Sequence, residues 1–269
     1  MRTKHLTRLA LPAIAAAALT GVVATPSYAA APTASVVNGN DVLYVGSDEF
    51  DEIKVTSSGP FVFLEALGSG VIDNGPGCTQ ETFVRNKVTC QATTSIDFIQ
   101  LQMNGGPDEV RVDTSIATRI EGGAGRDIYF GASARTGTNV TFNGGDDVDT
   151  ADFGFSTSGV LVDMDGQADD GRLNVDHDNI GTTVENLLGS DFDDSLRGNS
   201  NKNWIVGREG ADALRGGNND DEIWAMETAG TDGSKADKPD LSCGTGNDII
   251  QVDLTDPQVS GDCETVDRR

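Results

Sequence analysis

The stretch from Gly189 to Trp224 reads GSDFDDSLR, GNSNKNWIV, GREGADALR, GGNNDDEIW, four nonapeptides in strict register. Glycine stands first in each, an acidic or amide residue sixth and an aliphatic residue eighth. The sixth residues are Asp194, Asn203, Asp212 and Asp221; the eighth are Leu196, Ile205, Leu214 and Ile223. One period therefore carries turn chemistry and core chemistry together. Six residues make a turn and three make a short strand with one inward side chain, so two nonapeptides complete a coil and the strands stack in two parallel sheets. The spacing predicts an all-β fold, a right-handed parallel β-roll or β-solenoid, with irregular insertions.

The same pattern extends in both directions. Upstream, GGAGRDIYF supplies Gly122, Gly123, Gly125 and Asp127, and GGDDVDTAD supplies Asp149, with Asp147 in place of the fourth glycine. Asp108 with Val110, Asp97 with Ile99, Asp51 with Ile53 and Asp41 with Leu43 repeat the acidic-x-aliphatic spacing. Downstream, CGTGNDIIQ adds Gly246, Asp248 and Ile250. Three stretches break the period. Ser57 to Thr94 reads as a looped excursion. Gly159 to Val184 reads as a strand at Val160-Leu161-Val162 followed by an acidic polar excursion. Ala225 to Ser242 reads as a loop 18 residues long, two periods, so that Cys243 re-enters in register.

Composition limits the function. The 269 residues carry 19 basic and 43 acidic side chains, a net charge of −24, with 33 glycines and 6% aromatics. Residues 1–29, with Arg2, Lys4 and Arg8 before the apolar run Leu9 to Ala24 and Ser27-Tyr28-Ala29 at its end, read as a secretory signal peptide of the general export route. Its removal leaves 16 basic against 43 acidic residues, −27. No other run reaches the 18 or so apolar residues of a membrane span, so a soluble extracellular protein is expected. Such a chain repels nucleic acid and anionic membranes, and its self-repulsion calls for a counter-charge. Residues 30–269 are expected to form one domain: degenerate coils over 36–103, repeats over 104–158, an interruption over 159–188, repeats over 189–251 and a closed tail over 252–269. The four cysteines lie in the exported part, where disulfides persist. Local pairing, Cys78 with Cys90 and Cys243 with Cys263, brackets two irregular stretches, whereas a zinc site lacks close-spaced cysteines and histidines.

Glycine at positions one, two and four allows positive φ and turns carbonyl oxygens into the gap between successive coils. The sixth-position carboxylate points into the same gap. A cage of carbonyls and carboxylates fits calcium, which takes six to eight hard oxygen ligands. The expected ligands are Asp108, Gly122, Gly123, Gly125, Asp127, Asp149, Gly189, Asp194, Asn203, Gly207, Gly210, Asp212, Gly216, Gly217, Asp221, Gly246 and Asp248. Stacking sets the turn at Gly189 against that at Gly207, and Gly198 against Gly216. The gap between Asp194 and Asp212 is then expected to hold calcium more tightly than the gap between Asn203 and Asp221, which has one charge fewer.

These repeats resemble the hemolysin-type calcium-binding repeats, the RTX parallel β-roll, with its consensus Gly-Gly-x-Gly-x-Asp-x-hydrophobic-x. The resemblance covers roughly Val36 to Gln251 with interruptions. It implies several calcium ions between coils, extracellular location and calcium-driven folding. No stretch matches a pore-forming region, so lysis is not implied. The expected function is a non-enzymatic binding or structural module. Two alternatives remain: an adhesin or glycan binder using Trp204 and Trp224, which should face outward from one sheet, and a calcium-dependent polysaccharide lyase or hydrolase. No catalytic residue is assigned: His177 is the one histidine after the signal, and neither a HExxH nor a Gly-x-Ser-x-Gly motif occurs.

Overall fold

The computed structural model describes residues 30–67, 70–81, 84–131, 137–225 and 240–269. The signal peptide reading and most of the loop from Ala225 to Ser242 lie outside them. The described residues form strands and no helix, arranged in sheets of twelve, seven and five strands. Among the described residues, no helix is long and apolar enough to cross a membrane.

In the repeat region the chain alternates between sheets. Strands Glu109–Asp113, Ile128–Phe130, Thr150–Asp152, Asn186–Leu188, Trp204–Val206, Glu222–Trp224 and Ile249–Val252 lie side by side and parallel in the twelve-stranded sheet. The intervening strands belong first to the seven-stranded sheet, as Phe98–Gln102, Ala117–Ala124 and Val140–Asp146, and then to the five-stranded one, as Val160–Asp163, Ser195–Arg197, Ala213–Asn218 and Ser242–Thr245. Leu196 pairs with Leu214 and Ile205 with Ile223, each 18 residues apart.

This register stacks the eighth-position side chains. Val110, Tyr129, Ala151, Leu187, Ile205, Ile223 and Ile250 form one continuous buried row. Ile99, Ile120, Phe142 and Ile180, with Val162, Leu196 and Leu214, join them in a single core from the other two sheets. Each such side chain contributes about 1.5 to 3 kcal/mol by leaving water. A core one residue deep per strand suffices because every row is covered by the next. After the loop, Gly217 pairs with Gly244 and Ile223 with Ile250, so the chain returns in register.

The N-terminal third differs from the expectation. Ser57 to Thr94 contains an antiparallel meander, with Glu52–Ser58, Phe61–Ala66, Val84–Gln91 and Cys78–Glu81 extending the twelve-stranded sheet. Its cause is strict alternation in FVFLEA, which buries Val62, Leu64 and Ala66 and leaves Phe61 and Phe63 on the outer face. In Asp41–Val45, Val42 and Tyr44 are buried and Leu43 is only half-buried. That strand pairs antiparallel with Thr33–Val37, and two inward residues replace the single one of a repeat.

Both local disulfides are present, Cys78–Cys90 across paired strands and Cys243–Cys263 across the C-terminal tail. Opening the second, by Cys243→Ser with Cys263→Ser, is expected to cost about 3 kcal/mol by chain entropy. The loss should appear in chemical denaturation together with faster amide exchange in strand Thr265–Arg268.

The polar excursion after Gly159 is built into the core. Its strand Val160–Asp163 forms as expected, but Arg172 is buried with a bidentate ion pair to Asp176 at 2.8 and 2.9 Å. Asp178 accepts hydrogen bonds from Val140 N, Tyr129 Oη and Thr138 Oγ1 at 2.9, 3.0 and 3.1 Å. His177 between them is exposed and contributes its backbone N–H to Thr138 O.

Candidate metal centre

The turn before each of the nine parallel-paired strands of the twelve-stranded sheet ends on an acidic or amide residue, and these residues form a column. Asp51, Asp108, Asp127 and Asp149 lead into Glu185, Asn203, Asp221, Asp248 and Glu264. The links are regular. Asp108 Oδ1 accepts Asp51 N at 2.7 Å, Asp127 Oδ1 accepts Asp108 N at 2.9 Å and Asp149 Oδ1 accepts Asp127 N at 2.9 Å. Asp221 Oδ1 accepts Asn203 N, and Asp248 Oδ1 accepts Asp221 N, both at 2.8 Å. One oxygen of each carboxylate is thus consumed in tying coil to coil, the turn-forming role open to any aspartate.

The second oxygen is not consumed. Oδ2 of Asp108, Asp127, Asp149, Asp221 and Asp248 is buried without a hydrogen-bond partner. An orphaned buried carboxylate oxygen costs several kcal/mol unless something meets it. Its surroundings are other oxygens. The point where a Cβ would stand on Gly122 lies 2.4 Å from Asp127 Oδ2 and 2.3 Å from the carbonyl oxygen of Gly144 in the next coil. On Gly216 the same point lies 2.5 Å from Asp221 Oδ2 and 2.3 Å from Cys243 O. Glycine at position one is required because a side chain would fill the space these oxygens share.

Burial pushes Asp108 up to about 8 and Asp149 and Asp221 up to about 7, with the neighbouring column carboxylates adding to the rise. Asp127 and Asp248 move in the same direction, again mainly by burial. A set of buried carboxyl oxygens short of donors, whose charged form a cation would favour over the protonated one, fits a hard cation held by oxygen, the calcium donor type.

Asp194 and Asp212 lie apart, before strands of the five-stranded sheet. Asp194 N donates to Asp212 Oδ1 at 2.8 Å. Both oxygens of Asp194 are already engaged, Oδ1 by Val160 N at 2.8 Å and Ser190 Oγ at 2.7 Å, and Oδ2 by Ser190 N at 2.6 Å. The oxygens of Asp194 are thus taken by hydrogen bonds, a feature that a count of charges does not register. Asn203 brings no free carboxylate: its Oδ1 accepts Asn199 N at 2.8 Å and its Nδ2 donates to Glu185 O at 3.1 Å. Among the expected glycines, Gly123, Gly125, Gly210 and Gly217 have positive φ, while Gly189, Gly207 and Gly246 sit against the carboxylate oxygens of Asp194, Asp212 and Asp248.

Sequence reasoning missed Glu185 and Glu264, which continue the column by accepting Asp149 N at 3.0 Å and Asp248 N at 2.9 Å. Their signal was present as Glu185-x-Leu187 and Glu264-x-Val266, without the glycine frame. It also missed Asp163, Asp165 and Asp169, whose carboxylate oxygens lie within 4.8 Å of one another beside a cleft of about 440 Å³. Burial, then Asp165, pushes Asp163 up to about 6. Trp204 and Trp224 meet edge to face at 5.3 Å on the outer side of the twelve-stranded sheet. A second cleft of about 310 Å³ is lined by Val148, Glu185, Asn186, Asn201, Lys202 and Trp204. No family model matches the chain, and no curated protein matches it.

Proposed function

We propose that this chain is a secreted calcium-binding repeat protein of the hemolysin-type (RTX) kind, a right-handed parallel β-roll whose folding is coupled to several calcium ions and which serves as a binding or structural module without catalysis. The observation that carries this reading is the column of five buried aspartate oxygens without partners, two of which, on Asp127 and Asp221, share their space with a carbonyl oxygen of an adjoining coil. Asp108, Asp127, Asp149, Asp221 and Asp248 would hold the ions, with carbonyls such as those of Gly144 and Cys243. Calcium supplies positive charge where the chain has concentrated negative charge, and metal binding then counts as folding free energy. The protein's own share is to set the oxygens in place, exclude water and hold the coils in register through the Oδ1 bonds.

Far-ultraviolet circular dichroism of residues 30–269 during calcium titration tests the reading. A large gain of strand signal is expected, with apparent dissociation constants on the order of 0.1 to 1 mM for an extracellular module. A spectrum that calcium leaves unchanged, together with no bound calcium by equilibrium dialysis, would remove it. Within the titration, Asp221→Asn is expected to lose about one ion and Asp194→Asn none. The cleft beside Trp204 favours a second reading, an extracellular glycan or cell-surface partner bound through an aromatic wall with amide and carboxylate groups at its rim. Glycan-array binding abolished by Trp204→Ala would support it.

A further inference from the structure

Within the column, the unpartnered oxygens fall into two runs, Asp108, Asp127 and Asp149, then Asp221 and Asp248. Between them stand Glu185 and Asn203, whose side-chain oxygens are all engaged. The coil that carries Asn203, GNSNKNWIV, has asparagine at its second, fourth and sixth positions. All three side-chain amides reach back to the preceding coil. Asn199 Nδ2 donates to Val184 O at 3.0 Å and Thr182 O at 3.3 Å. Asn201 Nδ2 donates to Thr182 O at 2.9 Å and Glu185 Oε1 at 3.5 Å, and Asn203 Nδ2 donates to Glu185 O at 3.1 Å. The amides are held in place by local bonds, Asn201 N to Asn199 Oδ1 at 2.7 Å and Asn199 N to Asn203 Oδ1 at 2.8 Å.

The acceptors in this gap, turn carbonyls and a carboxylate of the adjoining coil, belong to the chemical class that a hard cation takes. Here N–H donors take them. A side-chain amide satisfies an oxygen without adding charge and without a ligand from solution. The cohesion of this pair of coils then does not vary with cation concentration.

We propose that Asn199, Asn201 and Asn203 form an amide clamp that stands in for a cation between strand Asn186–Leu188 and strand Trp204–Val206. The proposal rests on the calcium reading above and adds two properties to it. The clamp divides the column into two blocks that load separately, Asp108 to Asp149 and Asp221 to Asp248. It also keeps the clamped coils joined in the calcium-free chain, so that flanking coils order outward from them as ions arrive.

Hydrogen–deuterium exchange of the full exported chain, in chelator and in saturating calcium, tests both properties. In chelator, segments 184–188 and 202–206 are expected to exchange about tenfold or more slowly than Glu109–Asp113 and Ile249–Val252, and calcium should close the difference. Asn203→Asp restores an acid at the sixth position. It is expected to take up one more calcium ion per chain in equilibrium dialysis and to lose the protection in chelator. Equal exchange of all four segments in chelator, with calcium bound and protecting all of them alike, overturns the clamp and leaves the calcium reading standing. An Asn203→Asp variant with unchanged stoichiometry and unchanged protection also overturns it. Absence of bound calcium with exchange unaltered throughout overturns both.

Discussion

Gly145→Ala is expected to cost about 3 to 6 kcal/mol of folding stability in saturating calcium, measured by urea denaturation. Two independent penalties meet at this residue. Its φ is +125°, a region almost closed to residues with a Cβ, which costs about 1 to 3 kcal/mol. Its Cβ would also stand 2.2 Å from the backbone oxygen of Gly123 and 2.9 Å from its nitrogen, in the paired turn of the adjoining coil. Backbone cannot step aside as a flexible side chain can, so the coils must separate. Gly39→Ala separates the two penalties, because Gly39 has a φ of +87° with nothing within 4 Å of the added carbon. It is expected to cost only about 1 to 2 kcal/mol. Equal losses at both positions would mean that close approach of the turns contributes nothing.

The second large effect is an inverted pH dependence of the calcium-free chain. Asp108 and Asp170 are raised to about 8, and Asp149, Asp178 and Asp221 to about 7, in each case chiefly by burial. An unfolded aspartate titrates near 3.9. The folded state therefore binds more protons than the unfolded one between about pH 4 and pH 8, and stability falls as pH rises through that window. Across these groups the loss amounts to several kcal/mol on an order-of-magnitude basis. In chelator, the melting temperature is expected to be highest near pH 4 to 5 and to fall steadily toward pH 8. A melting temperature that rises over this range would contradict it. Asp178→Asn tests one contributor away from the column: it should flatten the profile, since an amide makes no charge to bury.

Much of the column was legible because its spacing is short-range chemistry. Acidic-x-aliphatic places a carboxylate at the end of a turn and a buried side chain two residues on, and Asp108, Asp127, Asp149, Asp221 and Asp248 all stand where that spacing put them, before a strand whose second residue is buried. Local cysteine pairing was legible for the same reason. Glu185 and Glu264 escaped because a longer side chain reaches the same neighbouring amide without glycines around it. The burial of Arg172, Asp176 and Asp178 could not be read from a polar stretch, since a bidentate ion pair and three converging donors are properties of partners far apart in sequence. Ser190 was not legible as a partner of Asp194: it donates to both carboxylate oxygens, which a count of charges treats as vacant. The meander at Phe61–Ala66 carried a clear period of two, but the surrounding prolines and cysteines pointed to a loop.

The coil-to-coil bonds of the column have one more consequence. Because each Oδ1 accepts the amide of the preceding column residue, successive carboxylates recur at the strand spacing of a parallel sheet, about 4.8 Å. Along that edge the protein is a short, rigid polyelectrolyte. Unit charges at this separation repel by about 3 kcal/mol at an effective dielectric constant of 20. A divalent ion shared by two neighbours would relieve repulsion on both sides at once, so occupancy within a run would switch over a narrower range of concentration than for independent sites. The steepness of the response would then be set by how many aspartates follow one another without interruption.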